Sequence, residues 1–276
     1  MFSTLKIFNK NMIILRDDLL GEINGNKARK LDIFKDLKLP YKHIICYGSS
    51  QSNAMQALAL WTKNNNYNFS FVCARRCEIS GNLKSALENN AVIYYANNPK
   101  EFAKTLHKND NNSFLISEGV CEDYARFGFY KMAKEIAKIV NELDCDVVLA
   151  SGTYTSAIYL EKYLSTLSNA RVFTASCVNA NEYFVKQINK LNPNSKLKLL
   201  KTARKYHFAN LYEELFILTK NISDIEFDLL YDSVCLKAIY ENLDELKENI
   251  LYIHQGGLIG SKNLELRYNK KYNIIN

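Results

Sequence analysis

The chain has 276 residues, of which 47% are hydrophobic and 24% are charged, and this is the composition of a folded globular protein. At roughly 150 residues per domain, the length predicts two domains or one large α/β domain. The composition excludes a disordered tail, a collagen and a disulfide-rich miniprotein. The net charge is +7, but acidic residues are interspersed with the basic ones throughout, which favours a solvated basic surface over a nucleic-acid site.

Several features indicate the compartment. No apolar run approaches the roughly 18 residues that a membrane span requires, and the first twenty residues contain no small-residue cleavage site of a signal peptide. The seven cysteines are scattered, and the closest pair, Cys73 and Cys77, does not form a C-x-x-C motif. No cluster of histidine and cysteine has zinc-ligand spacing. We therefore expect a reduced, cytoplasmic protein with buried thiols, no metal and no membrane association.

Short apolar runs alternate with amphipathic segments along the chain. The runs predict strands at 43–47, 69–74, 91–95, 114–117, 146–150, 171–177 and 251–254. The segments between them predict helices at 55–61, 83–89, 101–107, 124–143, 157–167 and 211–219. This alternation predicts parallel sheets covered by helices on both faces, with ligands bound where strands end and helices begin.

Two lysines fall on the apolar side of an early predicted helix. The segment 27–37 predicts a helix with Asn26 as its N-cap. Its apolar face is formed by Leu31, Ile33, Phe34 and Leu37, and its opposite face by Arg29, Asp32 and Asp36. Lys27 and Lys30 lie on the apolar side near the positive end of the helix, where burial and neighbouring charge lower the pKa of an amine and create a nucleophile. The alternative is that both side chains extend past the first turn into solvent.

Two polar loops each follow a predicted strand and precede a helix. One is 48–53, with the sequence G-S-S-Q-S-N, and the other is 151–156, with the sequence S-G-T-Y-T-S. Backbone N–H groups at such places bind carboxylates or phosphates. Neither loop is G-x-G-x-x-G, and the second lacks the P-loop lysine, so nucleotide binding is unsupported. Each loop alone is also compatible with an ordinary capped turn, but two of them with inward lysines suggest a phosphorylated aldehyde cofactor.

The same segments carry a family resemblance. The sequences L-R-D-D-L-L-G at 15–21 and G-N-K-A-R-K-L at 25–31 resemble the signature of the 1-aminocyclopropane-1-carboxylate deaminase and D-cysteine desulfhydrase family. That signature is K-R-D-D-[LC] followed by G-G-N-K-x-R-K-L. Later family motifs, namely G-x-x-Q-S-N, G-N before a helix, x-G-x-S and L-Y-x-H-x-G-G, are similar to 48–53, 81–82, 118–119 and 251–257. The resemblance covers most of the chain.

The resemblance implies a two-domain, three-layer α/β/α enzyme of the tryptophan synthase β-like, pyridoxal-phosphate-dependent fold type II. We expect a larger cofactor-binding domain at 1–38 and 119–276 and a smaller α/β domain at 39–118. Pyridoxal 5'-phosphate would lie in the cleft between them. The substrate would be a small amino acid, and the protein would be a homodimer.

Site residues follow from the resemblance position by position. Lys27 would be the Schiff-base lysine, and Lys30 an active-site neighbour that contacts substrate. The phosphate loop would comprise Ser151, Gly152, Thr153, Tyr154 and Thr155. The substrate carboxylate would bind at Ser50, Gln51, Ser52 and Asn53, with Ser52 catalytic and Asn53 also contacting the ring oxygen of the cofactor. Gly256 would allow close approach to the cofactor ring.

Tyr206, and one difference between this chain and a family motif, bear on the reaction. Tyr206 lies where the family has a substrate-facing tyrosine in Y-G-x-P, although it is also one of eighteen tyrosines that could simply pack. The family motif D-P-V-Y-x-G-K supplies a second tyrosine and, in the deaminases, a glutamate on the pyridine nitrogen. Aligned from Asp232, this chain has Cys235 for the tyrosine and Leu236 near the glutamate. The partner of the pyridine nitrogen is then unidentified.

The absence of the motif's tyrosine and glutamate decides which reaction we expect. Opening a cyclopropane requires extra acid–base groups, whereas β-elimination requires one base at Cα and a leaving thiolate. We therefore expect a D-cysteine desulfhydrase-like reaction that forms pyruvate and ammonia. The alternatives are 1-aminocyclopropane-1-carboxylate deaminase, another pyridoxal-phosphate lyase or racemase of this fold, and a degenerate homologue without catalysis.

Overall fold

The computed structural model describes residues 1–75, 79–178 and 181–272. They form two compact units, one made of Met1–Arg29 with Arg126–Asn276 and the other of Lys30–Ala125. Cys77 lies outside the described residues. The other six cysteines comprise five buried thiols and the half-buried Cys121, so the expectation of buried thiols is confirmed for five of them.

The strands in chain order are β1 (Phe2–Ile7), β2 (Lys10–Arg16), β3 (His43–Tyr47), β4 (Asn68–Cys73), β5 (Val92–Tyr95), β6 (Ser113–Ile116), β7 (Asp146–Ser151), β8 (Val172–Ser176), β9 (Lys198–Leu200) and β10 (Asn249–His254). The helices are α1 (Gly25–Lys30), α2 (Asn53–Asn64), α3 (Gly81–Glu88), α4 (Pro99–Lys108), α5 (Arg126–Glu142), α6 (Thr155–Leu164), α7 (Asn181–Leu191), α8 (Glu213–Asn221), α9 (Asp232–Glu241) and α10 (Leu258–Tyr272). Within the described ranges, no helix is both long enough and apolar enough to cross a bilayer.

The first unit is built on a six-stranded sheet in the order β1-β2-β10-β7-β8-β9. Strands β1 and β2 pair antiparallel, and every other neighbouring pair is parallel. All six residues of β7 are buried, as expected for a parallel strand that is covered on both faces. On one face the sheet packs against α9, whose Cys235 and Leu236 are fully buried beside Phe173 and Tyr252.

The second unit contains a four-stranded parallel sheet in the order β5-β4-β3-β6. Helix α4 covers one face, where Ile45, Val72 and Ala103 form a buried cluster. Helix α2 begins directly after the loop that follows β3, and α3 begins at Gly81. The polar loop 48–53 therefore lies between a strand end and a helix, as does the loop 151–156 between β7 and α6 of the first unit.

Most predicted elements are present, and their ends differ by no more than three residues from the prediction. The helix predicted over 27–37 is wrong, because α1 ends at Lys30 and is followed by a short 3-10 turn at Asp32–Lys35. The sequence analysis did not predict the β1–β2 hairpin, β9, α7, α9 or α10. In β2 the residues Met12 to Leu15 are all buried, so the strand lacks the polar–apolar alternation that would have marked it.

Candidate active site

The turn between β7 and α6 has the features of an anion site. Strand β7 ends at Ser151, whose buried hydroxyl oxygen has no hydrogen-bond partner in the described part of the chain. Helix α6 begins three residues after Gly152, and its first turn contains no acidic residue. The unpaired N–H groups and the dipole at a helix N-terminus attract negative charge. This turn can therefore hold a phosphate group, with the Ser151 hydroxyl as an additional donor.

Tyr154 contributes to this turn through its backbone. Its φ of 59° is in the left-handed region, and it is the N-cap of α6. Its side chain is 1% exposed, donates from the hydroxyl to Ser176 Oγ at 2.6 Å and packs against Phe184. The neighbouring Thr155 is fully buried, with Oγ1 3.3 Å from Thr153 Oγ1. Of the five residues expected in the phosphate loop, Tyr154 can therefore offer an anion only its backbone N–H.

The order of the sheet reverses next to this turn, since the chain proceeds from β7 to β8 on one side and β10 lies on the other. Open α/β sheets bind ligands in such a crevice, beyond the carboxyl ends of the strands. Gln255 follows β10 and donates from Nε2 to the Ala150 carbonyl at 2.5 Å, while its buried Oε1 has no partner among the described residues. Two partnerless buried oxygens, on Ser151 and Gln255, thus lie at the ends of adjacent strands.

Helix α1, which carries Lys27, begins against the same strand end. The Asn26 amide donates to the Gln255 carbonyl at 3.4 Å. Gly25 has a φ of +60°, and a Cβ at this position would lie 1.6 Å from that carbonyl oxygen. The helix begins at Gly25 because only glycine permits this approach, and the expected N-cap role of Asn26 is wrong. Lys27 is half-buried and lies one residue beyond the contact with Gln255.

Arg29 fixes the other end of α1. Its guanidinium pairs with the fully buried Asp17 and, through Nη1, with Glu135 Oε2 at 2.9 Å. Helix α5 packs closely here, since a Cβ at Gly128 would lie 1.8 Å from the Arg29 carbonyl oxygen. Arg29 was expected on the solvent face of its helix. The structure corrects this, because α1 is contacted on that side by α5 and by the segment after β2.

Lys30 belongs to the second unit and is 2% exposed. Its ammonium donates to the Gly119 carbonyl at 2.7 Å, and burial lowers its pKa. The expectation that Lys30 is directed inward is confirmed. One of its N–H groups thus anchors the loop after β6, and a contact of Lys30 with substrate stays a prediction.

The loop 48–53 in the second unit is held largely by its own side chains. Ser52 Oγ accepts from the Ala54 amide at 3.2 Å and caps α2, so this helix begins at Asn53. Gln51 donates from Nε2 to the Ser80 carbonyl at 3.0 Å and accepts at Oε1 from the Asn82 amide at 3.1 Å. Ser50 is 4% exposed. Gln51 thus anchors the start of α3, and both ends of its amide are occupied.

Asn82 is the residue that organises this loop, and it is 1% exposed. Its Nδ2 donates to the Gln51 carbonyl at 2.9 Å and to Asn53 Oδ1 at 2.7 Å. The carbonyl oxygen of the Asn53 side chain is therefore engaged, and its amide nitrogen is the group that can donate to a ligand. The sequence contained this residue in the G-N match, but without a role.

Tyr206 lies in the first unit, in the loop between β9 and α8, and is 8% exposed. Its ring meets that of Tyr212 edge-on at 5.0 Å, and the Arg204 guanidinium lies 5.0 Å from its centre. It lines a cavity together with Ser176 at the end of β8. It is therefore adjacent to the strand ends of this unit, as a ligand-facing tyrosine requires, but its ring is also packed.

The alignment of the D-P-V-Y-x-G-K motif from Asp232 is not supported by the structure. Cys235 and Leu236 are fully buried in the core, and burial raises the pKa of the Cys235 thiol well above its ordinary value. Starting four residues earlier, Asp228-Leu229-Leu230-Tyr231-Asp232 aligns with D-P-V-Y-E without a gap, with the aspartate and the tyrosine identical and Asp232 in place of the glutamate. A Cβ at Gly152 would lie 3.1 Å from Tyr231 Cε1, so this tyrosine borders the anion-binding turn. The gapless spacing was the signal that the sequence analysis missed.

Asp232 follows Tyr231 in the chain and belongs to a buried polar cluster. Its carboxylate accepts from the Tyr252 hydroxyl at 2.6 Å and from the Asp228 amide at 3.0 Å, and His254 Nδ1 is 3.1 Å away. Burial opposes protonation of His254, but Asp232 and Asp18 outweigh it and raise its pKa to about 9. This shift favours the imidazolium form of His254 at neutral pH, with Asp232 as its nearest carboxylate.

These residues fit a phosphate-bearing aldehyde cofactor. The partnerless Ser151 hydroxyl and the start of α6 can hold its phosphate, and Lys27 supplies an amine in the same unit. Gly256, with a φ of +71°, leaves no space for a Cβ, which would lie 2.4 Å from Asn24 Oδ1. Glycine at this position therefore leaves room for the Asn24 side chain, and its close approach to a cofactor ring stays a prediction.

Solved structures share this architecture. One, described as a 1-aminocyclopropane-1-carboxylate deaminase homologue, superposes with a TM-score of 0.79 at 20% identity and covers 94% of this chain and 89% of that one. A threonine deaminase of T.th. gives 0.67 at 16% identity over 90% and 87% of the two chains. A pyridoxal 5'-phosphate-dependent aspartate racemase gives 0.64 at 16% identity over 93% and 89%. The fold is thus that of pyridoxal-phosphate-dependent enzymes of fold type II, which confirms the predicted fold class.

Curated proteins that share one name are also similar to the chain. A Pyrococcus furiosus protein named "putative 1-aminocyclopropane-1-carboxylate deaminase" is 25% identical over 93% of this chain and 87% of its own length. A protein of the same name from Thermotoga maritima is 24% identical over 91% and 89%. No family model matches the chain. The resemblance to the 1-aminocyclopropane-1-carboxylate deaminase family is confirmed over about nine-tenths of its length.

Proposed function

We propose that this protein is a pyridoxal-phosphate-dependent lyase that deaminates a small amino acid. The observation that carries the proposal is the partnerless Ser151 hydroxyl at the start of α6, in the same unit as Lys27. A buried hydroxyl without a partner costs free energy, so its presence at an anion-binding turn indicates a ligand. The similarity to named deaminases and to fold type II enzymes supports the same conclusion.

The bound cofactor would supply an electron sink for the carbanion at the substrate Cα. Lys27 would hold the cofactor covalently and take the Cα proton on Nζ. The start of α6, Ser151 and Gly152 would hold the phosphate. In the second unit, the amide nitrogen of Asn53 and the hydroxyl of Ser52 would contact ligand oxygens, and Gln51 with the buried Ser50 would fix the loop that carries them. Tyr206 would face the substrate.

We propose 1-aminocyclopropane-1-carboxylate as the first candidate substrate, with water giving 2-oxobutanoate and ammonia. The register from Asp232 disfavours ring opening, because it puts Cys235 and Leu236 where the family has its tyrosine and glutamate. The gapless register replaces them by Tyr231 and Asp232, and Tyr231 borders the cofactor turn. A tyrosine hydroxyl there can serve as the additional acid–base group that ring opening requires.

The second candidate is elimination of the thiol from D-cysteine, in which water is consumed and pyruvate, ammonia and hydrogen sulfide are formed. One observation favours it. The Asp232 carboxylate is 1% exposed and already serves Tyr252, His254 and the Asp228 amide, so it is poorly placed to bind a pyridine nitrogen as well. A weaker electron sink suits elimination of a good leaving group.

The homodimer and the cytoplasmic location stay predictions.

The experiment combines cofactor labelling with substrate assays. Purified protein is treated with pyridoxal phosphate, its visible absorbance is recorded, and borohydride reduction is followed by peptide mapping. We expect the label on Lys27, its loss in Lys27→Ala, and its retention in Lys35→Ala, which changes an exposed lysine. A label spread over surface lysines would contradict the proposal and favour a non-catalytic homologue. A second sample, treated with pyridoxal phosphate but not reduced, is assayed for 2-oxobutanoate from the cyclopropane amino acid and for sulfide from D-cysteine.

A further inference from the structure

The first unit contains a cavity of about 420 Å³ that the proposed reaction leaves unassigned except for Tyr206. It lies at the carboxyl ends of β8 and β9, one strand away from the crevice between β7 and β10. Its inner wall is apolar, formed by Ala175, Leu200 and Val234. Its volume is in the range of small-molecule sites in proteins. The cavity therefore has room for a small organic molecule.

The polar side of the cavity is mainly basic. Lys201, Arg204 and Lys205 line it, against one carboxylate, Glu182. Arg204 forms an ion pair with Glu214, outside the lining. In the part of the chain that the structure describes, Lys201 and Lys205 form no ion pair. Two lysines without a partner carboxylate at a concave surface produce a local positive potential.

A helix start adds to this potential. Asn181 and Glu182, the first two residues of α7, line the cavity, and α7 is 11 residues long. Its N-terminal N–H groups and dipole favour a negative charge there. The strand ends, the helix start and the two lysines thus converge on one volume, which is the usual arrangement of anion sites in α/β proteins.

We propose that this cavity binds a small organic dianion, separately from the pyridoxal phosphate and from the amino-acid substrate. The lysines and the start of α7 hold its charged groups, and the apolar wall contacts its carbon skeleton. The wall also contains Ser176, which accepts the hydrogen bond of Tyr154, the N-cap of α6. A ligand at Ser176 therefore contacts the same side chain that positions the anion-binding turn.

The site is tested with inorganic phosphate and succinate by isothermal titration calorimetry. Both probes are titrated at constant ionic strength into the pyridoxal-phosphate-treated, borohydride-reduced protein, in which the cofactor turn is filled. The same titrations are made with untreated protein. The test variant is Lys201→Gln with Lys205→Gln. The control variant, Lys186→Gln with Lys190→Gln, removes the same charge from exposed positions of α7 outside the cavity.

We expect one site per chain for at least one probe, affinity reduced at least tenfold in Lys201→Gln with Lys205→Gln, and less than a twofold change in the control. All four substitutions affect exposed side chains, so both variants should keep the thermal midpoint of the parent protein. Absence of binding of both probes, or equal weakening in the two variants, would overturn the proposal. If Lys27 is not labelled, the untreated protein still gives the answer, since the lysine variants act on this cavity alone.

Discussion

Arg29 and Asp17 are joined by two hydrogen bonds, from Nε to Oδ2 at 2.9 Å and from Nη2 to Oδ1 at 2.6 Å. Asp17 belongs to the L-R-D-D stretch after β2, and Arg29 to the G-N-K-A-R-K stretch of α1. The two most specific motifs of the sequence are therefore partners in space. Their pairing fixes the helix that carries Lys27 to the end of a central strand of the sheet, which explains why both motifs occur together.

Removing the arginine should be strongly destabilising. Asp17 is fully buried, so Arg29→Gln leaves a carboxylate without its charge partner in the interior. We expect a loss of about 3–5 kcal/mol in the free energy of unfolding, measured with urea. Lys138→Gln removes an exposed pair with Glu142 and should cost no more than about 0.5 kcal/mol. Equal effects of the two substitutions would refute the interior role of the Asp17 pair.

The sequence revealed the strand–helix alternation and the anion-binding turns because these depend on local patterns. Runs of apolar residues, and serine or glycine directly after them, can be seen in the sequence without tertiary information. The register of the last motif was missed because Tyr231 and Asp232 lie at the start of a helix, α9, that had not been predicted. The anchoring roles of Gln51 and Lys30 were also out of reach, since their partners Asn82 and Gly119 are distant in sequence.

Gly25 should not tolerate a side chain. In Gly25→Ala the new Cβ would overlap the Gln255 carbonyl, and the φ of +60° is itself strained for alanine. We expect a destabilisation of more than about 2 kcal/mol and reduced labelling of Lys27 by pyridoxal phosphate and borohydride. The control is Gly21→Ala, which also has a positive φ, of +124°, but nothing within 4 Å of the added Cβ. If both variants are equally affected, strain at φ and not the contact with Gln255 explains the loss.

Ser151→Ala separates ligand binding from folding. The hydroxyl has no partner within the described structure, so its removal should raise the free energy of unfolding of the cofactor-free protein by about 1 kcal/mol. Binding of pyridoxal phosphate should weaken at least about tenfold, because a hydrogen bond to a charged group contributes about 1.5–3 kcal/mol. Ser165→Ala, at the far end of α6, should change neither quantity. Unchanged cofactor affinity in Ser151→Ala would remove this serine from the phosphate site.

The His254 cluster should make stability fall at alkaline pH. The pKa of His254 is about 9 in the folded protein against an ordinary value of 6.5. Its contribution to the free energy of unfolding is therefore complete below pH 6.5 and is lost as pH rises through about 9. The full effect corresponds to about 3 kcal/mol. Asp228 has its pKa raised to about 7 from 3.8, by burial first and by Asp232 second. The stability that its protonated form contributes is therefore lost as pH rises through about 7, below the range in which His254 titrates.

Urea unfolding of the parent protein and of His254→Gln between about pH 7 and pH 10 measures this contribution as a difference in slope. We expect the parent protein to lose stability over this range by clearly more than the variant. His207→Gln, which changes an exposed histidine, should follow the parent protein. Parallel curves for the parent and His254→Gln would show that His254 is not an imidazolium in the folded state.

Gln51 distinguishes an anchoring role from direct substrate contact. Both ends of its side-chain amide are bonded to the segment that starts α3, so Gln51→Ala leaves the Ser80 carbonyl and the Asn82 amide without these partners. We expect a loss of about 1–3 kcal/mol in stability. Because Asn82 also holds Asn53, labelling of Lys27 should persist while KM for the amino acid rises. Gln56→Ala, in the first turn of α2, should leave both stability and KM close to the parent values. A rise in KM without any loss of stability would instead indicate that Gln51 contacts the substrate directly.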